Sequence, residues 1–351
     1  MKEKIKPRRA IAQAPDNPRM LENREGKLRL DMNESLLGCS PEARAALRRL
    51  DPEEFSMYPE KGNAVERLAP RFGVRADEML VTGGIDDGLR LISDVFLERG
   101  RTVLLVEPTF PMYRFYAGQR DARIVSLRYD VEMNFPLREV ILALKSGPTV
   151  FFLANPNNPT GGLLDRRAAE EILDAARRTL VIVDEAYFEF SGVTLLRQIR
   201  RRRNLVVTRT FSKATGLAGL RIGCIFAHRD IARMLLRAQA PFPVGTAAMV
   251  AAEAALKDTA FVRRCVSEIL RARKILADGL SCLGVRIFPS AANFILADFG
   301  AKGPRITSAL KRRGILISDQ SNAMGRRGFI RITVGTSAQM RHFLGALEPL
   351  L

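Results

Sequence analysis

The chemistry in this chain centres on one lysine. Lys213 lies in the stretch Thr208 to Gly223, between the apolar runs Leu205 to Val207 and Cys224 to Ala227, with small residues after it and Arg221 further on. A nearby cation and partial burial both favour the neutral amine, which is the nucleophilic form. The hydroxyls of Thr210 and Ser212, with the Arg221 guanidinium, form a donor set that can hold a phosphate. Taken alone, the same window equally describes a turn between strand and helix with its lysine in solvent.

Other polar motifs also close apolar runs. Thr82-Gly-Gly84 follows Met79 to Val81, and Phe110 ends a Glu-Pro-Thr-Phe segment after Thr102 to Val106. Asn155 to Gly162 follows Thr149 to Ala154, and Asp184-Glu-Ala-Tyr187 follows Leu180 to Val183. A phosphorylated, electron-withdrawing pyridine cofactor needs a lysine for an imine, a phosphate cup, and a carboxylate that keeps the ring nitrogen protonated. Lys213 and Asp184 supply the amine and the carboxylate. A helix opening near Asp86, after Gly83-Gly84, offers free backbone N–H groups as an anion site.

The elements that must position these groups follow from hydrophobic spacing. Apolar runs at 79–81, 102–106, 124–127, 149–154, 180–183 and 205–207 read as strands. Helical spacing marks 86–98, 112–117, 137–144 and 165–178, and Ser40 is placed to cap a helix over 41–50. Residues 56–59 read as a loop. Buried strands alternating with amphipathic helices predict an α/β fold whose large domain is a three-layer, mostly parallel sheet covered on both faces. The ligand crevice of such a sheet lies beyond the carboxyl ends of its strands, where all of these motifs converge. Beyond residue 257 the texture becomes α+β: a long helix over 259–283, strands at 285–288, 293–297, 315–317 and 329–333, a basic helix over 306–313 and a last helix from Ser337. The expected division is an N-terminal arm (1–35), a large cofactor-binding domain (36–257) and a small C-terminal domain (258–351) packed with the arm.

Composition narrows the function. The chain has 351 residues, 47% of them apolar, and no apolar run of membrane-spanning length. Its basic start, Met1 to Arg9, lacks the apolar segment of a secretory signal. The four cysteines are far apart and form no paired spacing, so reduced thiols and a cytoplasmic location are expected. Only His228 and His342 exist, which leaves little material for Ser–His or Cys–His catalysis or for a histidine metal site. The net charge of +18 is spread along the chain, densest at Arg200 to Arg203, without any nucleic-acid-binding signature. A solvated surface is expected, with nucleic acid disfavoured as a partner.

With these motifs in this order, the sequence resembles the fold-type I, pyridoxal-phosphate-dependent aminotransferases, and most closely the histidinol-phosphate aminotransferase group. Asn155 to Gly161, Asp184 to Tyr187, Ser212-Lys213 with Gly219-Leu-Arg221, and Arg331 to Gly335 carry the resemblance, which extends from about Asn33 to Thr336. It implies that Lys213 bonds the cofactor pyridoxal 5'-phosphate and shuttles the proton, and that Asp184 pairs with its ring nitrogen. Asn158 and Tyr187 would bond the ring oxygen, and Phe110 would stack on the ring. Thr210, Ser212 and Arg221, with the amides of Ile85 and Asp86, would hold the phosphate. Tyr58, in a Tyr-Pro pair, would reach that phosphate from a partner subunit, implying a homodimer. Arg331 would clamp the substrate carboxylate, with Asn158 beside it. The implied reaction is ping-pong transamination in histidine biosynthesis, with 2-oxoglutarate and glutamate as the second pair.

Three departures from the group's pattern bear on substrate, one being that the arm lacks the expected tyrosine-rich start. Ser318 stands where the group commonly has a phosphate-binding arginine, leaving Arg326, Arg327 or Lys311 as substitutes. Asn33-Glu-Ser-Leu36 replaces the usual Asn-Glu-Asn-Pro. An aromatic or other amino-acid aminotransferase, or a phosphothreonine-type decarboxylase, therefore stays open. A basic nucleic-acid-binding protein on a degenerate scaffold is the alternative of another class, and the intact Lys213, Asp184 and Arg221 oppose it.

Overall fold

The computed structural model describes residues 5–12, 23–59 and 61–351. Parts of the expected arm, residues 1–4 and 13–22, lie outside them. The strands are β1 (Leu28–Leu30), β2 (Met79–Thr82), β3 (Thr102–Glu107), β4 (Arg123–Arg128), β5 (Val150–Ala154), β6 (Leu180–Asp184), β7 (Leu205–Thr210), β8 (Gly223–Ala227), β9 (Arg286–Ile287), β10 (Phe294–Asp298), β11 (Ile315–Asp319) and β12 (Phe329–Thr333).

The apolar runs of the first two-thirds form one seven-stranded sheet in the order β2-β8-β7-β6-β5-β3-β4. All its pairings are parallel except those of β8, which runs against both β2 and β7. Alternation along the strands divides the side chains between two faces. Leu104, Phe151, Val181 and Val207 pack into one core, and Val103, Phe152, Ile182 and Val206 into the other. Both faces are buried, which is why these strands read as continuous apolar runs rather than as alternating ones.

Helix ends follow local capping chemistry. Ser40 Oγ accepts from Ala43 N and opens the helix Pro41–Arg48. Residues 56–59 are not wholly loop: Ser56 ends a short helix, Pro52–Ser56, which opens with a capping box between Asp51 and Glu54. His228, which the sequence left without a role, caps the helix Arg229–Ala238 by accepting from Asp230 N at 3.3 Å. The four cysteines are free.

The second sheet, β1-β11-β12-β10-β9, belongs to the C-terminal part. Its edge strand β1 comes from the arm and pairs in parallel with β11. This pairing carries the following segment, Met32 to Glu34, across the carboxyl ends of the large sheet. The smaller sheet's core in turn includes Tyr187, Phe190 and Ala214 from the large-sheet side. Among the described residues no helix is long and apolar enough to cross a membrane.

Part of the Arg200 to Arg203 run is tied down at the opposite end of the large sheet. Arg200 bonds the buried Glu78 at 2.8 Å and Arg202 bonds Asp174 at 2.5 Å.

Candidate active site

A cavity of about 470 Å³ opens where the carboxyl ends of the large sheet meet the arm and β12. Every candidate residue from the sequence lines it except Tyr58: Ile85, Asp86, Phe110, Asn158, Asp184, Tyr187, Thr210, Ser212, Lys213, Arg221 and Arg331.

Lys213 sits just after β7, and its Nζ donates to the carbonyl of Met32 at 3.1 Å. Burial, with the cations Arg331 and Arg221 facing it, draws its pKa from the ordinary lysine value down to about 8, although Glu34 pulls the other way. About a tenth of the amine is therefore neutral near pH 7, far more than for an ordinary lysine.

Asp184 ends β6 and is 5% exposed. Its Oδ2 accepts from the Tyr113 hydroxyl at 2.7 Å and its Oδ1 from Ala186 N at 3.1 Å. Burial raises its pKa to about 6, against the lowering effect of these donors and of Thr208. A carboxylate desolvated in this way is stabilised by any cation that docks against it. The sequence reading did not single out Tyr113. Its signal was a tyrosine on the buried face of the helix after β3, since a buried phenol needs a polar partner.

The anion cup forms around Gly84, which precedes the helix Ile85–Phe96. Gly84 has φ 84° and ψ 172°, a backbone essentially confined to glycine, and a Cβ there would lie 2.6 Å from Arg221 Nη2 and push the guanidinium aside. Arg221 itself is left-handed, φ +49°, which aims its side chain back at the helix start. Its Nη1 reaches Ser212 Oγ at 3.5 Å and its Nη2 reaches Asp86 Oδ2 at 3.4 Å. Thr210 Oγ1 accepts from Ser212 N at 3.0 Å.

On the other wall, Arg331 comes from β12 and is 8% exposed. Its Nη1 donates to Asn158 Oδ1 and its Nη2 to Asp31 O, each at 2.5 Å, while its buried Nε has no partner. The Tyr187 hydroxyl accepts from Asn33 Nδ2 at 2.9 Å. The Phe110 ring meets Tyr113 edge-on, with centroids 5.6 Å apart.

Tyr58 does not line this cavity. It is 79% exposed and stacks on Phe242 with centroids 4.4 Å apart. Ser318 lies opposite Arg331 in the β11–β12 register and accepts from Gln320 Nε2 at 2.7 Å. None of the suggested substitutes reaches the cavity wall: Lys311, Arg326 and Arg327 are absent from its lining, and Arg326 pairs with Asp298 at 2.6 Å.

A half-buried amine and a desolvated carboxylate on one cavity, with a helix start and a guanidinium beside them and a buried arginine on the other wall, are the groups that a lysine-bound, phosphorylated cofactor needs. The chain belongs to the class I and II aminotransferases, whose family description matches residues 25–347. It is similar to the histidinol-phosphate aminotransferase of Roseiflexus castenholzii, 37% identical over 92% of this chain and 89% of that one. Its fold matches the Sinorhizobium meliloti histidinol-phosphate aminotransferase, solved with pyridoxal-5'-phosphate. That match has TM-score 0.89 and 23% identity, covering 99% of this chain and 98% of that one. It also resembles the L-threonine-O-3-phosphate decarboxylase of Porphyromonas gingivalis, with TM-score 0.80 and 26% identity over 92% and 98% of the two chains.

Proposed function

We propose that this enzyme is a pyridoxal 5'-phosphate-dependent aminotransferase that takes histidinol phosphate as donor and 2-oxoglutarate as acceptor in histidine biosynthesis. The observation that carries the reading is the placement of Lys213 and Asp184 on one cavity whose lining also includes Arg221 and Arg331. The residues fit the cofactor. Asp184 is a buried carboxylate suited to a protonated ring nitrogen, Gly84 leaves room for Arg221 at the phosphate cup, and Arg331 keeps a buried, unpartnered Nε for a carboxylate.

When bound, the cofactor supplies an electron-withdrawing ring that accepts the electron pair released at the donor's Cα. The chain's own residues do the rest. Lys213 Nζ would attach the cofactor, and its amine, displaced by the donor's amino group, would take the Cα proton and carry it as the proton shuttle. Asp184 holds the ring-nitrogen proton. Asn158 and Tyr187 would donate to the ring oxygen, Phe110 would cover the ring, and Thr210, Ser212, Arg221 and the amides of Ile85 and Asp86 would hold the phosphate. Arg331 orients the donor through its carboxylate or the equivalent group.

The assembly is a homodimer in which Tyr58 reaches the partner's cofactor phosphate. Exposed Phe55, Met57 and Tyr58, with Phe242 stacked on Tyr58, support a covered apolar face there. Sedimentation at micromolar concentration should give a dimer. The cytoplasm is the expected compartment.

The donor is tested by turnover with 2-oxoglutarate. Histidinol phosphate should exceed phenylalanine and tyrosine by about 10²-fold in kcat/KM, the scale of one charge-assisted recognition site. Equal turnover of the aromatic amino acids would overturn the named donor. An aromatic donor is the second reading, favoured by the neutral Ser318 opposite Arg331.

A further inference from the structure

The arm crosses the cavity at Asn33, a residue given no part in the chemistry above. Asn33 is 1% exposed and holds a left-handed backbone, φ +55°, which asparagine adopts more readily than most residues. Two main-chain bonds keep it there: its N donates to Thr333 Oγ1 at 2.9 Å, and Asn293 Nδ2 donates to its carbonyl at 3.2 Å. The side chain then bridges two hydroxyls. Thr333 Oγ1 donates to Asn33 Oδ1 at 3.0 Å, and Asn33 Nδ2 donates to Tyr187 Oη at 2.9 Å.

Counting protons fixes the sense of this chain. The fully buried Thr333 hydroxyl already accepts from Asn33 N, so its single proton goes to Asn33 Oδ1. Turning the amide over would leave that buried proton without an acceptor and would spend the Tyr187 proton on Asn33 Oδ1. In the arrangement seen, Tyr187 Oη accepts at this contact and keeps its own proton. Among the described residues no acceptor takes that proton, and Tyr187 lines the cavity.

We propose that Asn33, keyed by Thr333, is a positioning residue that makes the Tyr187 hydroxyl a donor into the cavity, towards the ring oxygen of the bound cofactor. The inference rests on the reading of Tyr187 given under Proposed function. It also ties the two walls together, because Thr333 lies on the same face of β12 as Arg331, so the strand that grips the donor orients the hydroxyl. A donor on the ring oxygen weakens that oxygen's hold on the proton at Lys213 Nζ in the lysine–cofactor linkage. The pH midpoint of the holoenzyme's visible absorption band is thereby lowered.

The test titrates that band in cofactor-loaded variants. Asn33→Gly keeps the left-handed backbone and both main-chain bonds but removes the amide. Asn33→Asp keeps the shape and turns the donor into an acceptor, which draws the Tyr187 proton away from the cavity. Both should raise the midpoint by about one pH unit, the scale of one neutral hydrogen bond, as should Tyr187→Phe. Neither should add to the shift in a Tyr187→Phe background. Midpoints unchanged in both Asn33 variants beside a shifted one in Tyr187→Phe overturn this inference alone, and so does an Asn33→Asp shift that persists without the Tyr187 hydroxyl. A Tyr187→Phe enzyme with an unshifted midpoint overturns the reading of Tyr187 and this inference with it. A purely structural Asn33 would lower the melting temperature and leave the midpoint in place.

Discussion

The two walls of the cavity are built in opposite ways. The large-sheet wall takes Asp184, Thr210, Ser212, Lys213 and Arg221 from strand ends and the turns that follow them, and several of their supports are close in sequence, such as Thr210 on Ser212 N and Asp184 on Ala186 N. The arm-and-β12 wall is joined across the chain: Arg331 bonds Asp31 and Asn158, and Asn33 bonds Thr333 and Tyr187. The first wall presents groups displaced in ionisation by burial, an amine and a carboxylate awaiting a charged cofactor. The second presents a cation already held in place by neutral carbonyl groups. Cofactor binding should therefore belong to the first wall, and donor selection to the second.

Substitutions can break this division, and the largest effect is expected at Lys213. Lys213→Ala should lower kcat by at least about 10⁴-fold, the scale of a lost nucleophile and proton carrier, and borohydride should no longer fix the cofactor. Retained covalent cofactor in that variant would move the attachment to another residue. Arg331→Ala should cost about 10²-fold in kcat/KM, mostly as KM, because one paired charge contact to the donor is lost. Cofactor affinity, read by equilibrium dialysis, should stay near wild type. If cofactor affinity falls together with KM, the two walls are one functional unit and the division fails.

The pH dependence sharpens the first wall. With Lys213 as the proposed point of attachment, only its neutral amine is nucleophilic, so covalent uptake by the apoenzyme should rise about tenfold per pH unit below pH 8 and level off above it. A plateau only near the ordinary lysine value would mean that burial and the flanking arginines do not depress this amine. The same depression has a sign for stability: the folded pKa lies below the unfolded one, so this group's contribution is present above the ordinary lysine value and is lost as pH falls through about 8.

The smallest effect is set at the phosphate cup. Gly84→Ala places a Cβ against Arg221 Nη2 at φ 84°, ψ 172°, a backbone essentially confined to glycine, at a cost of about 1–3 kcal/mol, and should weaken cofactor binding at least about fivefold. Unchanged affinity, measured by fluorescence titration of the apoenzyme, would remove Arg221 from the phosphate contacts.

Legibility followed the same division. Most of the large-sheet strands and the helices between them were readable, because a strand buried on both faces must be a continuous apolar run and a covering helix must show a stripe. Helix ends shifted by a few residues, since caps such as the Asp51–Glu54 box are local hydrogen bonds that outvote the pattern. The helices Lys61–Leu68, Arg229–Ala238 and Thr246–Lys257 went unread between stronger signals. On the site, Lys213, Asp184 and Arg221 could be picked out because each directly follows or flanks an apolar run. Tyr113 was passed over because its partner, Asp184, lies on another strand's end.

By itself, then, the sequence determined which strands are buried, that their polar ends converge, and that the amine of Lys213, the carboxylate of Asp184 and the guanidinium of Arg221 meet on one cavity. All of these depend on periodicity and on short-range spacing. The tertiary structure alone decided that Asn33 faces Thr333 and Tyr187, that Lys213 bonds the Met32 carbonyl, and that Tyr58 is exposed and outside the lining of its own chain's cavity. The reason is physical. Periodicity assigns a side chain to a face, but its hydrogen-bond partner and its degree of desolvation depend on which distant segment packs there, and those contacts set the pKa of Lys213 and the direction in which the Tyr187 proton points.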